Sequence, residues 1–391
     1  MVAPDTTKSA ITKEDELHWL ALCLVPGLGM RKAGQLIARF RSPHAIFRAS
    51  RSELEASGLS GSVAQTIASG CTFDDAIEQQ QKMLETGTVL VPISEPAYPA
   101  RLREIFDPPI VLFARGRVEL LQGILLGVVG TRRPTAYGTA AAERLSADLA
   151  HAGLAIASGM ARGIDTTAHR AALDIGGETV AVFGCGVDLV YPAENRKLAA
   201  EIAEKGLIVS EFPMGSPAYP QNFPIRNRII SGVSVGILVV EGAQYSGSAI
   251  TAKMALDQQR EVFAVPGNIT SKMSWGPNLL IKQGAKLVQE WNDVLVELPA
   301  DTRRALIGKA QVRLGVMSLD LKDEQPTLPP ELGMASRVVL SKLKADVPIQ
   351  IDQLLESSDT LTASEVTAAL FELELLGLAR QLPGRNFVKV W

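Results

Sequence analysis

Between about residues 120 and 298, short apolar runs alternate with stretches of helix-forming residues, and this alternation restricts the fold more than any other feature of the chain. The apolar runs fall at 124–129, 154–158, 179–183, 207–210, 235–240, 261–265 and 285–288. The helical stretches between them fall at 137–151, 164–174, 194–205, 225–232, 248–259 and 276–283. The run from Ile124 to Val129, apolar throughout, reads as a buried strand, and the other runs read as strands too. Their repetition with intervening helices predicts an α/β fold with a mostly parallel, doubly wound sheet. In such sheets ligands bind beyond the carboxyl ends of the strands, where the strand order reverses.

The loops at those strand ends carry the chemistry. The first is Gly127-Val128-Val129-Gly130-Thr131-Arg132-Arg133-Pro134-Thr135-Ala136-Tyr137-Gly138. Strand, tight glycine turn and helix start aim backbone N–H groups and the positive end of a helix dipole at an anion. Arg132 and Arg133 suit a phosphate, because a guanidinium matches its geometry with two parallel hydrogen bonds. A plain glycine turn with solvated arginines would use the same residues. Later loops carry Ser158 to Asp165, Gly184 to Asp188, Tyr191 to Lys197, Phe223 to Arg228 and Ser246 to Thr251. Arg132, Arg133, Arg162, Arg196, Lys197, Arg226 and Arg228 all fall in or beside them, while the acids lie mostly in the helices. Tyr137, Tyr191, Phe212, Tyr219, Phe223 and Trp275 fall near the same rim. A basic groove with aromatic platforms is how single-stranded nucleic acid is held. Arg226 and Arg228 could instead pair with Glu211 and Glu241, since buried charges need partners. Ser246-Gly247-Ser248 opens a helix, where it can cap the end or hold an anion.

Composition sets limits on the partners. The formal net charge of -3 excludes a generally basic coat, so a nucleic-acid site must be a local patch. The three cysteines, Cys23, Cys71 and Cys185, are far apart and lack metal spacing, which predicts a reducing cytoplasm, no disulfide framework and no metal site. No apolar run reaches the ~18–20 residues that span a membrane, and the polar first residues lack the apolar core of a secretory signal. Cys185 has no histidine close in sequence, and His169 on its Ala-rich helix has no second ligand or base at a useful spacing. We therefore expect no catalytic residue and no cofactor.

The flanks read as separate modules. Residues 1–13 predict a disordered tail, and 14–86 a helical domain. Inside it, Leu24 to Ile37 resembles a helix-hairpin-helix, whose glycines would let N–H groups approach a DNA phosphate; an ordinary helical hairpin would look the same. Strands at 89–93 and 110–113 read as edge structure joined to the sheet, giving a domain over 87–298. Residues 299–334, with Pro326, Pro329, Pro330 and Gly333, read as a linker. Residues 335–391 predict helices at 336–345, 350–356 and 363–376 and a hairpin around Pro383-Gly384, which together suggest a winged helix. Its third helix carries Glu365, Glu372 and Glu374 and no cation before Arg380, so we expect protein contacts there more than groove reading.

Taken together the loops closely resemble the DNA-processing protein A family (DprA, also called Smf). The matching stretches are Tyr98-Pro99 with Pro108-Pro109, Gly130-Thr131-Arg132 with Tyr137-Gly138, and Ser158 to Asp165. They continue with Tyr191-Pro192 and Asn195, Phe223 to Gly232, Ser246-Gly247-Ser248 with Thr251-Ala252, and Pro266-Gly267. The resemblance implies an extended Rossmann-like fold without known catalysis, flanked by a sterile-alpha-motif-like N-terminal domain and a C-terminal winged helix. It implies binding of single-stranded DNA, dimerisation through the Rossmann-like domain, and loading of the RecA recombinase on incoming DNA during natural transformation. On the motif match, Arg132 with Gly130 and Thr131 would be the principal phosphate clamp, and Asn195, Arg196 and Lys197 would supply further backbone contacts; the rim loops add Arg133, Arg162, Arg226, Asn227, Arg228, Ser246, Gly247 and Ser248 as expected DNA-binding residues. Glu194 departs from the pattern, since it would repel phosphate. The competing class is a nucleotide-binding enzyme of similar fold, such as a nucleoside-monophosphate phosphoribohydrolase. Against it, no acid lies from Ala243 to Ala255, where general acid–base work would need one.

Overall fold

The computed structural model describes residues 11–244, 246–313, 333–344, 349–357, 361–375, 378–382 and 386–389. Residues 1–317 form one compact unit and 318–391 a second.

The first unit begins with six helices: α1 (Lys13–Cys23), α2 (Met30–Phe40), α3 (Pro43–Arg48), α4 (Arg51–Glu55), α5 (Gly61–Ser69) and α6 (Phe73–Thr86). Capping residues punctuate them. Thr12, Ser42, Ser50 and Ser60 each accept a hydrogen bond from the first turn, and Gly70 and Gly87 close two helices in the left-handed region. The strands and helices that follow are β1 (Val89–Pro92), α7 (Ala100–Arg103), β2 (Val111–Gly116), β3 (Leu125–Val129), α8 (Ala136–His151), β4 (Ala155–Ser158), α9 (Ile164–Asp174), β5 (Thr179–Val182), α10 (Arg196–Lys205) and β6 (Leu207–Ser210). Then come α11 (Asn222–Val233), β7 (Ser234–Val239), α12 (Gly247–Asp257), β8 (Glu261–Ala264), α13 (Trp275–Lys282), β9 (Lys286–Leu287), α14 (Trp291–Leu295) and α15 (Ala300–Arg313).

All nine strands form one sheet in the order β1-β2-β6-β5-β4-β3-β7-β8-β9. β1 and β2 pair antiparallel at one edge, and the other seven run parallel. The chain winds outward from β3 to β6, then returns to the other side of β3 with β7, so the order reverses between β3 and β7. β3 to β7 are buried along their whole length, as strands covered on both faces must be. One face packs under α11 and α12, with Leu125, Val129, Ile237 and Val239 pointing into that layer. The other face, through Leu126, Val128 and Leu238, packs on Leu145 and Leu149 of α8 and Ala168 of α9. Each such leucine contributes about 1.5–3 kcal/mol when buried. Gly127 lies in β3 because a Cβ there would come 2.2 Å from Ile237 on β7.

The N-terminal helices do not stand apart from this sheet. Trp19, Leu36 and Ile67 share a continuous core with Val111, Phe113, Phe183 and Ile208. Gln79 of α6 clasps Met214 in both directions, accepting from its N–H at 2.8 Å and donating to its carbonyl at 3.1 Å. Residues 300–313 form a helix where the sequence reading places a linker. Leu306 packs in the same buried cluster as Leu145 and Leu149 of α8, a contact distant in sequence that no local pattern signals. The rest of that linker lies mostly outside the described residues, as do residues 1–10 of the expected tail.

The second unit contains α16 (Met334–Lys342), β10 (Ile349–Gln350), α17 (Ile351–Glu356), α18 (Ala363–Leu375), β11 (Ala379–Leu382) and β12 (Asn386–Lys389). Its sheet runs β10-β12-β11, antiparallel, over a core of Val339, Leu354, Val366, Leu370 and Phe387. The strand β10 between the first two helices adds to the three helices and hairpin read from the sequence. The hairpin turn at Pro383-Gly384 lies outside the described residues.

Candidate nucleic-acid interface

A cleft of about 750 Å³ opens at the carboxyl ends of the parallel strands, beside the reversal between β3 and β7. The sequence-predicted residues Gly130, Thr131, Arg132, Arg133, Arg226, Asn227, Ser246, Gly247 and Ser248 all line it. Arg162, Asn195, Arg196, Lys197 and Arg228 do not.

The turn after β3 forms one wall. Thr131 N donates to Glu241 O at 2.7 Å, and Ile164 N donates to Thr131 O at 3.2 Å, so the turn is stitched to the residues just past β7 and to the start of α9. Gly130 and Gly163 make this possible. A Cβ on Gly130 would lie 2.5 Å from Ile164, and one on Gly163 would lie 2.4 Å from Thr131 O; Gly163 also has φ +74°. Arg132 and Arg133 stand exposed at the tip.

The opposite wall is the start of α11. The half-buried Phe223 ring packs over Gly184, where a Cβ would sit 3.0 Å from it. Arg132 lies over this ring at 5.6 Å from its centroid, and Arg226 at 5.9 Å. Tyr191, 47 % exposed, tilts against Phe223 at 5.5 Å between centroids. A ring flanked by guanidiniums and a second ring is suited to stack a base next to phosphate-gripping cations. The other rim aromatics, Tyr137, Phe212, Tyr219 and Trp275, do not line the cleft. Tyr137 instead donates to Pro266 O at 2.6 Å.

Arg226 forms the floor and is spent on the fold. Its Nη1 donates to Gly159 O at 2.6 Å and to Val182 O, and its Nε donates to Asn227 Oδ1 at 3.2 Å. The guanidinium lies flat on Gly159, whose Cβ would come 2.6 Å from it. Burial pulls its pKa down to about 10, against the opposing pull of Asp165. Asp165 is raised by burial and held back by Arg226 and by the N–H groups of Ala161 and Gly159. Gly159 N and Ala161 N donate to its Oδ2 at 3.1 and 3.3 Å. The third wall is the N-terminus of α12, where Ser246 caps the helix through Ala249 N at 3.4 Å and its hydroxyl lies 2.7 Å from that of Ser248.

The residues left out of the cleft each have a physical reason. Arg228 is two residues from Arg226, and a helix turns about 200° in that step, so the two cannot face the same way. Arg228 is buried, paired with Glu211 and, at 3.3 Å, with Asp107, a partner the sequence reading missed; Asp107 precedes Pro108-Pro109, and nothing local signals the contact. Asn195 is also buried. Its Nδ2 donates to Met160 O at 2.9 Å and to Thr166 Oγ1 at 2.8 Å, so it braces one loop on another. Arg162 pairs with Glu194 through its Nε at 3.1 Å, so the acid expected to repel phosphate is matched by a neighbouring cation. Arg196 and Lys197 are exposed on α10. Glu241 pairs with neither arginine; its carboxylate accepts from Thr135 N at 2.9 Å and Thr135 Oγ1 at 2.6 Å.

Cys185 and His169 are core groups. Burial raises the Cys185 thiol to about 11, and its Sγ donates to Leu189 O at 3.2 Å. Burial lowers His169 to about 3, and its Nδ1 lies 2.7 Å from Thr179 Oγ1. Among the described residues no group of three or more His, Cys, Asp or Glu is placed to hold a metal ion, and no helix is long and apolar enough to cross a membrane.

Comparison with known proteins agrees with this architecture. The model of the family described as DNA recombination-mediator protein A matches residues 89–299, and that of the DprA winged helix domain matches 323–385. Protein Smf of Synechocystis sp. is 34% identical over 401 residues, covering 96% of this chain and 99% of its own. DNA processing protein DprA of Bacillus subtilis is 45% identical over 216 residues, 55% of this chain and 73% of its own. The X-ray structure of DNA processing protein A from Streptococcus pneumoniae superposes with a TM-score of 0.60 at 33% identity, covering 74% of this chain and 99% of that one. A Rossmann-like sheet with its cleft at the strand reversal, a winged-helix unit and these matches together place the chain in the DNA recombination-mediator protein A family.

Proposed function

We propose that the cleft binds single-stranded DNA and that the chain is a non-enzymatic recombination mediator, protecting incoming DNA and loading RecA on it during natural transformation. The observation that carries this is Arg132 poised over the Phe223 ring, beside the exposed Tyr191, in an open cleft. A duplex hides its base faces, whereas a single strand presents bases to stack and phosphates to grip. Arg132, Arg133 and the α12 N-terminus are the phosphate contacts in this reading, and Phe223 and Tyr191 the stacking platforms. Asn195, Arg226 and Arg228 shape the site from behind.

The protein is proposed to work in the cytoplasm as a homodimer formed through the Rossmann-like domain. Exposed Leu287, Trp291 and Val296 on and after the edge strand β9 support such a contact. The test is binding of labelled single- and double-stranded oligonucleotides across a salt series by wild type and Arg132→Ala. RecA filament assembly on strand coated with single-strand-binding protein is then measured with each. Single-strand preference, a steep salt slope and loss of both activities in the variant are expected. Weak binding indifferent to Arg132 would refute the reading.

A further inference from the structure

The turn from Gly130 to Thr135 sits where β3 and β7 part, the crevice in which doubly wound sheets set a nucleotide's pyrophosphate against the first helix. In this chain that helix is α8, 16 residues long, and its N-terminus already holds an anion. Glu241, at the end of β7, is 2 % exposed and turns its carboxylate onto the cap. Oε2 accepts from Thr135 N at 2.9 Å, and Oε1 from Thr135 Oγ1 at 2.6 Å. The same hydroxyl accepts from Gly138 N at 3.1 Å, which links the carboxylate to the first turn. The helix is cut away to receive it: a Cβ on Gly138 would stand 2.1 Å from Oε2 and 2.3 Å from Cδ. Glu241 also holds the near end of the turn, since its carbonyl accepts from Thr131 N at 2.7 Å. The negative charge is thus met by a helix end, where it is favoured.

We propose that Glu241 is a specificity-determining residue. Its carboxylate takes the place of a pyrophosphate at α8 and bars nucleoside diphosphates and dinucleotides from that helix end. A phosphate entering the cleft therefore meets Arg132, Arg133 and the α12 N-terminus. Only this last step rests on the strand-binding reading; the exclusion at α8 stands by itself.

The experiment compares thermal unfolding of the full chain as wild type, Glu241→Ala and Glu241→Gln, in acetate, in pyrophosphate and in chloride at matched ionic strength. Glu241→Ala is expected to melt below wild type, and acetate or pyrophosphate to restore at least half of the lost Tm by filling the vacated position. Wild type and Glu241→Gln, whose amide fills the same space, should shift by less than a quarter as much. If Glu241→Ala folds poorly, its refolding yield with and without acetate gives the same reading. Pyrophosphate stabilising wild type as much as Glu241→Ala, or neither anion rescuing Glu241→Ala, would overturn the proposal. A failure of wild type to bind oligonucleotide would refute the strand-binding reading and leave these anion shifts untouched.

Discussion

The Gly130 turn and helix α11 each carry a pair of arginines, and the two pairs have opposite fates. Arg132 and Arg133 project from a turn whose backbone is fastened to Glu241 and Ile164, so their side chains are left exposed on the cleft. Arg226 and Arg228 are 3 % and 6 % exposed, one spent on carbonyls and the other on Glu211 and Asp107. An arginine in a phosphate-binding pattern is therefore not evidence of a phosphate contact. What decides is whether its hydrogen bonds are already taken. The two pairs also predict different kinds of damage, stability in one case and affinity in the other.

The largest effect is expected at Arg228. Arg228→Ala leaves the buried Glu211 and the half-exposed Asp107 without their cation, at a cost of about 3–5 kcal/mol. Denaturant unfolding would read this directly, and the fraction that folds should bind oligonucleotide as wild type does. Loss of affinity in a fully stable variant would break the comparison and return Arg228 to the interface.

Phe223→Ala tests the exposed side. Removing a base-stacking platform costs ~1–3 kcal/mol per base, so single-strand affinity should fall by about 5- to 150-fold, with little change in salt slope. Unchanged affinity by fluorescence anisotropy would show that the bases lie elsewhere.

Arg132→Ala should lose about tenfold in affinity, ~1.4 kcal/mol, and reduce the salt slope by ~0.7 for one lost phosphate contact. Its melting curve should overlay that of wild type. A stability loss comparable to that of Arg228→Ala would erase the distinction drawn between the two pairs.

The smallest effect concerns pH. Burial raises Glu211 from 4.5 to about 7, outweighing the opposite pull of Arg228, with Asp107 adding to the rise. Glu211 Oε1 has no hydrogen-bond partner, and Asp107 remains to balance Arg228 when Glu211 takes up a proton. The folded state thus binds this proton more tightly than the unfolded chain. The stability gained is full below pH 4.5 and is lost as pH rises through about 7. Relative to Glu211→Gln, wild type should gain ~1 kcal/mol or more as pH falls from about 7.5 to 5, measured as the difference between their unfolding curves. A difference that shrinks over that range would place Glu211 as a permanently ionised partner of Arg228.

Much of the architecture was legible in the chain. The alternation of short apolar runs with helix-forming stretches located β3 to β9 and their helices to within a few residues. Burial on both faces leaves its mark locally, as a strand in which apolar residues run consecutively instead of alternating with polar ones. The turn at Gly130 and the α12 start at Ser246 were legible for the same reason, since glycine and capping residues act within a few positions of themselves. The rest depended on contacts far apart in sequence. That Arg228 meets Asp107, that Asn195 braces Met160, and that the N-terminal helices share a core with β2 and β6 are outcomes of sheet order, which no local pattern encodes. The opposite directions of Arg226 and Arg228 could have been read from helical geometry alone; their burial could not. Local propensity and spacing determined which segments become strands, turns and helix ends. Tertiary packing decided which charges stay exposed, because only the assembled fold determines where carbonyls and carboxylates stand ready to take an arginine's hydrogen bonds.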